Sequence, residues 1–269
     1  AGVFLIVKCS PLFEYSQTAL NLVTLIGMIT AIFAASVALV QNDIKRIIAY
    51  STCSQLGYMF FAAGVGAYHV AMFHLFTHAF FKALLFLGSG SVIHAFKDEQ
   101  DIRNMGGIRK KLPYTYIFML IGTLALTGFP FLSGFYSKDA IIEFAYLSKS
   151  PLGNYAVVVG ILTALLTSIY SWRLFFKTFH GSYNNKQIPI NDTHESPLIM
   201  LLPLFLLAVG AVFAGYIFKE TLIGHHHNEF WQSSIFFLEE IKHEQVPLWF
   251  LIITPLLVTL AIPLSFYYF

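Results

Sequence analysis

The chain is predicted to be an all-α integral membrane protein, a multi-helix transmembrane bundle in which one helix is broken. Three observations carry this prediction. The composition is 57% hydrophobic and only 11% charged, against about 25% charged residues in soluble domains, and the mean hydropathy is +0.69. Apolar runs long enough to cross the hydrocarbon core, which takes about 20 helical residues, recur from one end of the sequence to the other. Those runs also lack the apolar/polar alternation of strands. Because every backbone N–H and C=O in hydrocarbon must be satisfied internally, each run is read as helix.

The elements follow in order. Ala1 to Val7 reads as the tail of a helix whose beginning is absent, so the chain is expected to be a piece of a longer one. Seven hydrophobic segments come next, at Thr18 to Val40, Ile47 to Gly66, Val70 to Ala95, Pro113 to Leu147, Tyr155 to Phe179, Pro197 to Phe218 and Leu248 to Phe269. The fourth is too long for one simple span. It is interrupted by Gly128-Phe129-Pro130-Phe131-Leu132-Ser133-Gly134, where the proline removes a donor and the glycines permit non-helical dihedrals, so a break is expected there. Spacing alone allows an ordinary proline kink, a re-entrant hairpin, or broken backbone lining a polar cavity.

Lysine and arginine counts set the orientation. Lys45, Arg46, Lys97, Arg103, Arg109, Lys110, Lys111, Lys177 and Lys186 fall on one side, and Lys8, Lys149, Lys219 and Lys242 on the other. The first side is expected to face the bacterial cytoplasm or mitochondrial matrix. The long loop from Lys219 to Val246 carries His225, His226 and His227. Three adjacent histidines lack the spacing of a dedicated metal site and are read as part of a solvated loop. Asn191-Asp192-Thr193 fits a glycosylation pattern but lies on the inner side and is set aside. Asp43, Lys45 and Arg46 read as an interfacial anchor. Tyr15, Tyr50, Tyr58, Trp172 and Trp249 suit interfacial belts or packing.

Composition also excludes several classes. Cys9 and Cys53 are far apart and form no metal or disulfide pattern. No Lys/Arg-rich run joins aromatic platforms, so nucleic acid is not an expected partner. Neither a glycine-rich phosphate fingerprint nor a cysteine cluster is present, so no cofactor is expected on this chain.

Chemistry is expected where charge enters the membrane. His74, His78 and Lys82 recur at intervals of four within Val70 to Ala95, which keeps them within about 80° of one another on the helix surface. A cation near mid-span costs about 2.5 to 3.5 kcal/mol on insertion scales, so Lys82 requires a hydrated or ion-paired interior. The plainer alternative is a lysine paired with a carboxylate to join helices, beside two satisfied core histidines. A lysine with two histidines in register points instead to an ion pathway, because both groups can exchange protons. Directly after the break come Lys138, Asp139 and Glu143. They form a second candidate exchange site; the same spacing fits a pair that caps a helix start at the membrane surface.

Two runs resemble a known family. They are Gln41-Asn42-Asp43-Ile44-Lys45-Arg46-Ile47-Ile48-Ala49-Tyr50-Ser51-Thr52-Cys53-Ser54-Gln55-Leu56-Gly57-Tyr58-Met59 and Phe73-His74-Leu75-Phe76-Thr77-His78-Ala79-Phe80-Phe81-Lys82-Ala83-Leu84-Leu85-Phe86. Asp98 to Gly107 and Gly128 to Asp139 continue the likeness, which is strong up to about Phe179 and looser beyond. The pattern resembles the antiporter-like membrane subunits of respiratory NADH:ubiquinone oxidoreductase (complex I), subunit 5 or L most of all. Its general motifs are shared with multisubunit sodium/proton antiporters and membrane-bound hydrogenases.

The resemblance implies the second inverted repeat of an antiporter-like fold over residues 18–180. Residues 1–17 would be the tail of a preceding helix and a loop, and residues 181–269 two further transmembrane helices with a long outer loop. It implies a proton path with Lys82 as central lysine, His74 and His78 beside it, and Lys138 with Asp139 at the exit. NADH, FMN, iron–sulfur clusters and ubiquinone would belong to partner subunits of the membrane-embedded translocase. The expected partners are other membrane-arm subunits, the N-terminal half of the same subunit and the lipid bilayer, in the mitochondrial inner membrane or bacterial plasma membrane. A sodium/proton antiporter subunit, or a scaffold without transport, is the alternative.

Overall fold

The computed structural model describes residues 1–186, 188–241 and 246–269. The described residues form eleven α-helices: α1 Gly2–Lys8, α2 Ser10–Phe13, α3 Gln17–Val40, α4 Ile44–Gly64, α5 Tyr68–Ala95, α6 Pro113–Thr127, α7 Ser133–Leu147, α8 Gly153–Phe179, α9 Leu198–Leu222, α10 His227–Trp231 and α11 Leu248–Tyr268. All seven hydrophobic segments become helix, with α6 and α7 together making the broken one. Five helices, α3, α5, α8, α9 and α11, are long and apolar enough to cross a membrane.

Local chemistry fixes several boundaries. Ser16 caps α3 by accepting from the Ala19 amide, and Asp43 caps α4 by accepting from the Arg46 amide at 2.9 Å, each satisfying a donor that the first turn leaves free. The Asp43 cap starts α4 three residues earlier than its apolar run suggests. α3 and α4 pack closely because their contact is built from small residues: a Cβ on Gly57 would lie 2.5 Å from the Ala31 backbone nitrogen, the close approach typical of membrane helix pairs. Ser54 Oγ donates to Ala31 O across this contact at 2.8 Å.

The break is as the sequence suggests. Gly128 ends α6 in the left-handed region with φ +84°, and α7 begins five residues later at Ser133. α4 carries two charges and Gln55 and is too polar to count as a simple span, but most of it is enclosed by its neighbours. α3, α9 and α11 instead present large apolar side chains outward, Ile29, Phe33, Phe205, Phe213 and Leu256 among them, as lipid-facing helices do.

The two ends of the bundle separate the charges as expected. At one end Ile44 N donates to Gln100 O and Ile102 N to Asn42 O, both at 2.9 Å. Arg173 donates to Gln41 O and to Asn42 Oδ1 there, both at 2.6 Å, and Lys97 pairs with Asp192. This is the Lys-rich end. At the other, Tyr68 donates to Glu14 and Lys149 pairs with Glu239. Lys242, counted at that end, lies outside the described residues.

One expectation needs correction and another is narrowed. The loop from Lys219 to Val246 is not simply solvated: α9 runs on to Leu222, Trp231 Nε1 donates to Leu222 O at 2.8 Å, and Ile235 is buried. His225 and His226 are exposed, but His227 stacks on His69 with ring centroids 5.2 Å apart and meets Glu240 Oε1 at 2.6 Å. Trp231, Phe236 and Phe237 pack half-buried against the bundle while Phe230 stays exposed, and His227 is held with them against His69. Tyr58 and Trp172, offered as belt or packing residues, are buried packing residues, whereas Tyr15 and Trp249 are exposed.

Candidate functional site

The two buried lysines lie on different helices, and neither is in an ion pair among the described residues. Lys82, in the middle of α5, donates to Ile48 O at 3.2 Å and to Ser51 Oγ at 2.7 Å, both on α4. Ser51 Oγ in turn lies 2.6 Å from the Tyr170 hydroxyl on α8. The carboxylate partner of the plainer reading is therefore replaced by a carbonyl and a hydroxyl.

Lys138 is not a surface cap. It is fully buried in the second turn of α7 and donates to Leu126 O at 2.7 Å. The reason lies in the break. By ending α6 at Gly128, the sequence strips the last carbonyls of α6 of their intrahelical partners. The negative end of that helix dipole then faces the ammonium group, an arrangement that favours a cation by about 0.3 to 2 kcal/mol. Tyr58 adds a π-face, with its ring centroid 5.6 Å from Nζ. Asp139 Oδ2 is buried with no hydrogen-bond partner in this structure, so Asp139 follows Lys138 in sequence without bonding to it.

The histidines fill the space between. His74 is fully buried; Nδ1 lies 2.8 Å from Ser137 Oγ and Nε2 3.0 Å from Gln55 Oε1. Ser137 also meets Thr77 Oγ1 at 2.7 Å and immediately precedes Lys138. His78, one turn closer to Lys82, has its ring centroid 6.1 Å from that of His74 and tilted to it, and its Nε2 has no hydrogen-bond partner. His74 thus meets Ser137, the neighbour of Lys138, and His78 lies between His74 and Lys82 along α5, although no hydrogen bond joins His78 to either. Hydroxyls and imidazoles both donate and accept, so the arrangement can pass protons once His78 turns or a water intervenes.

Sequence reasoning missed Ser51, Gln55, Tyr58, Thr77, Ser137 and Tyr170. Ser51, Gln55 and Tyr58 are spaced by four and three on a single face of α4, a polar stripe that a period search of that helix would find. Tyr170 carries no such signal. No group of three metal-ligating side chains occurs among the described residues.

At the Lys-rich end, the Arg103 side chain bonded to Asp101 holds that carboxyl below its usual range. His180 is held below its ordinary value, first by burial and then by Arg109. These groups belong to the surface and not to the path.

The relatives agree with this architecture. Over 238 residues the chain is 54% identical to NADH-ubiquinone oxidoreductase chain 5 of Marchantia polymorpha, covering 88% of this chain and 35% of that protein. It is 56% identical to the chain 5 of Phytophthora infestans over 236 residues, with the same coverage. Subunit L of the NADH-quinone oxidoreductase of Rhodobacter capsulatus is 57% identical over 235 residues, 83% of this chain and 33% of that one. The chain therefore spans about a third of the length of these relatives, not the half that the resemblance implied. The solved structure of the Mrp complex from Dietzia sp. DQ12-45-1b superposes with a TM-score of 0.76 over 99% of this chain and 30% of its own, at 24% identity, and so supports the fold alone. Residues 1–167 match the NADH:quinone oxidoreductase/Mrp antiporter transmembrane family, and the chain is an integral membrane protein that belongs to it.

Proposed function

We propose that this chain conducts protons across an energy-transducing membrane as part of a proton-translocating NADH:ubiquinone reductase, whose redox chemistry, with NADH, FMN, iron–sulfur clusters and ubiquinone, is carried by partner subunits. The observation that carries the reading is a pair of buried lysines without carboxylate partners, Lys82 and Lys138, with His74, His78 and Ser137 between them. A structural pair would be neutralised in place; these cations are held by groups that leave them free to exchange.

In this reading, residues 18–180 form the conducting repeat. Redox energy released elsewhere in the complex alters charge or hydration near Lys82. A proton then passes by way of His78, His74 and Ser137 to Lys138, and leaves with the help of Asp139 toward the Lys-poor side. Moving one charge against 100 mV costs about 2.3 kcal/mol. Two unit charges about 7 Å apart at an effective dielectric of about 20 exert nearly the same on each other, so a modest electrostatic change is sufficient to drive the step. Neighbouring membrane-arm subunits and the remainder of the same subunit would supply the rest of the path, in the mitochondrial inner membrane or bacterial plasma membrane.

The test is Lys82→Ala in the assembled complex. Proton pumping should fall while the complex still assembles, and unchanged pumping with normal assembly sinks the proposal. Native isolation separates the family branches: co-purification with NADH-oxidising, iron–sulfur subunits supports this reading, and co-purification with small antiporter subunits lacking that activity supports sodium/proton exchange instead.

A further inference from the structure

His69 takes no part in the path described above, and its surroundings lead outward. It lies in the first turn of α5, 2% exposed, at the Lys-poor end where Tyr68 bonds to Glu14. Its ring meets Phe144 of α7 edge-on at 5.1 Å and stacks on His227 at 5.2 Å. α7 leads to the same level. It starts at the helix break, carries Lys138 and Asp139, and reaches Glu143, one turn beyond Asp139 and just before Phe144. At 1.5 Å per residue, Glu143 stands about 7.5 Å further along α7 than Lys138.

The outer end of this line is the pair of His227 and Glu240. His227 Nδ1 lies 2.7 Å from Gly224 O, and a carbonyl only accepts, so Nδ1 carries a hydrogen. Nε2 lies 2.6 Å from Glu240 Oε1. An imidazole protonated on Nδ1 alone would set a bare nitrogen against a carboxylate oxygen there, lone pair to lone pair. The contact therefore holds one exchangeable proton, on the ring or on the acid. The His227 side chain is 18% exposed and that of Glu240 37%, so the pair joins the buried His69 to the surface. His69, His227, Phe144 and Glu240 wall a cavity of about 370 Å³. A second cavity of about 450 Å³ shares Glu239 and Glu240 with it and adds Glu14 and Lys149, a mostly acidic lining that draws protons outward.

We propose that His69 and the His227–Glu240 pair form the outlet by which protons released from Lys138 and Asp139 reach the Lys-poor face. This rests on the conduction reading above and carries it from Asp139 to solvent. When a Lys138 N–H breaks, Asp139 takes the proton as an O–H and passes it by way of Glu143 to His69, directly or over a bridging water. The outer pair gives its shared proton to bulk water, which leaves the bare Nε2 facing the carboxylate. The proton from His69 fills that gap. Every carrier beyond Lys138 ends as it began, and one proton has left.

The experiment uses the assembled complex in sealed vesicles and measures the rate of pumping and the protons moved per NADH oxidised, in ordinary and heavy water. His69→Phe keeps the ring packing against Phe144 and removes the carrier; Glu240→Gln keeps the size and a hydrogen bond to His227 and holds no exchangeable acid proton. Both are expected to slow pumping by about tenfold or more and to enlarge its heavy-water effect, while His225→Ala, at an exposed neighbour, pumps at the native rate. If His69→Phe fails to assemble, Glu240→Gln decides. Full pumping by either variant beside a blocked Lys82→Ala overturns the outlet and leaves the conduction reading standing. A slowed rate with an unchanged heavy-water effect marks these residues as packing and overturns the outlet as well. Full pumping by Lys82→Ala overturns both.

Discussion

The two glycines that flank the helix break are predicted to fail in different ways. Gly134, in the first turn of α7, lies against the carbonyl of Ala125 in α6, and a Cβ added there falls well inside contact with that oxygen. Non-bonded carbon atoms settle at about 3.5 to 4.0 Å, so Gly134→Ala has to push α7 from α6 by more than about 1 Å. Lys138 sits one turn further along α7 and donates at 2.7 Å to Leu126 O, the carbonyl next to Ala125. The same displacement stretches that bond to about 3.7 Å, beyond any useful hydrogen bond. A misplacement of about 1 Å can cost about a hundredfold where a reaction depends on geometry. Gly128 has φ +84° but open space, its nearest neighbour being Lys138 Cδ at 3.9 Å. Gly128→Ala therefore costs only backbone strain, about 1 to 2 kcal/mol. Native gels and the ratio of protons moved to NADH oxidised, measured on both variants, should show Gly128→Ala assembled and pumping, and Gly134→Ala either poorly assembled or slowed by about a hundredfold. Equal pumping by the two refutes the claim that α6–α7 spacing positions Lys138.

Three further outcomes are expected. Gly57→Val drives its side chain into the Ala31 backbone and should lower the thermal midpoint of the detergent-solubilised protein, by an amount worth at least about 1 to 3 kcal/mol; an unchanged midpoint means that α3 and α4 can slide apart freely. His227→Ala removes the bond to Glu240, worth about 1 kcal/mol, and should speed hydrogen exchange in the segment around Trp231 to Ile235 without changing exchange in α5 beyond its first turns, where His69 meets His227. His180 is held below its ordinary value of about 6.5, so its folded form resists protonation. Stability is then whole above that pH and falls as pH drops below it; His180→Gln should flatten this limb of a pH-stability profile, and an identical profile counts against the assignment.

Periodicity was enough for the helices and for the line of His74, His78 and Lys82, because both follow from positions along one chain segment. The break at Gly128 to Gly134 was equally legible, since proline and glycine act on their own backbone. What lies opposite each group was not. The bond from Lys82 to Ser51 spans 31 residues and that from Ser51 to Tyr170 spans 119, and no local pattern says which helices become neighbours. The acceptor of Lys138 was hidden for a second reason: it is a carbonyl, which every residue has. His227 was misjudged as solvated because its burial depends on Trp231, Phe237 and Glu240 folding back over the bundle, a tertiary event with no signature in a run of three histidines.

The acceptors chosen by the two lysines set where a released proton can go. Lys138 bonds to a peptide carbonyl and Lys82 to a carbonyl and a serine hydroxyl. A carboxylate in either place would be a sink, able to capture the proton its own lysine lets go and so to convert an ion pair into a neutral pair with nothing moved. Peptide oxygens have no such capacity at any physiological pH. Under the proposed function, a proton leaving Lys138 therefore has to pass to a group other than its hydrogen-bond acceptor, and Asp139, buried next to it in sequence, is the carboxylate at hand.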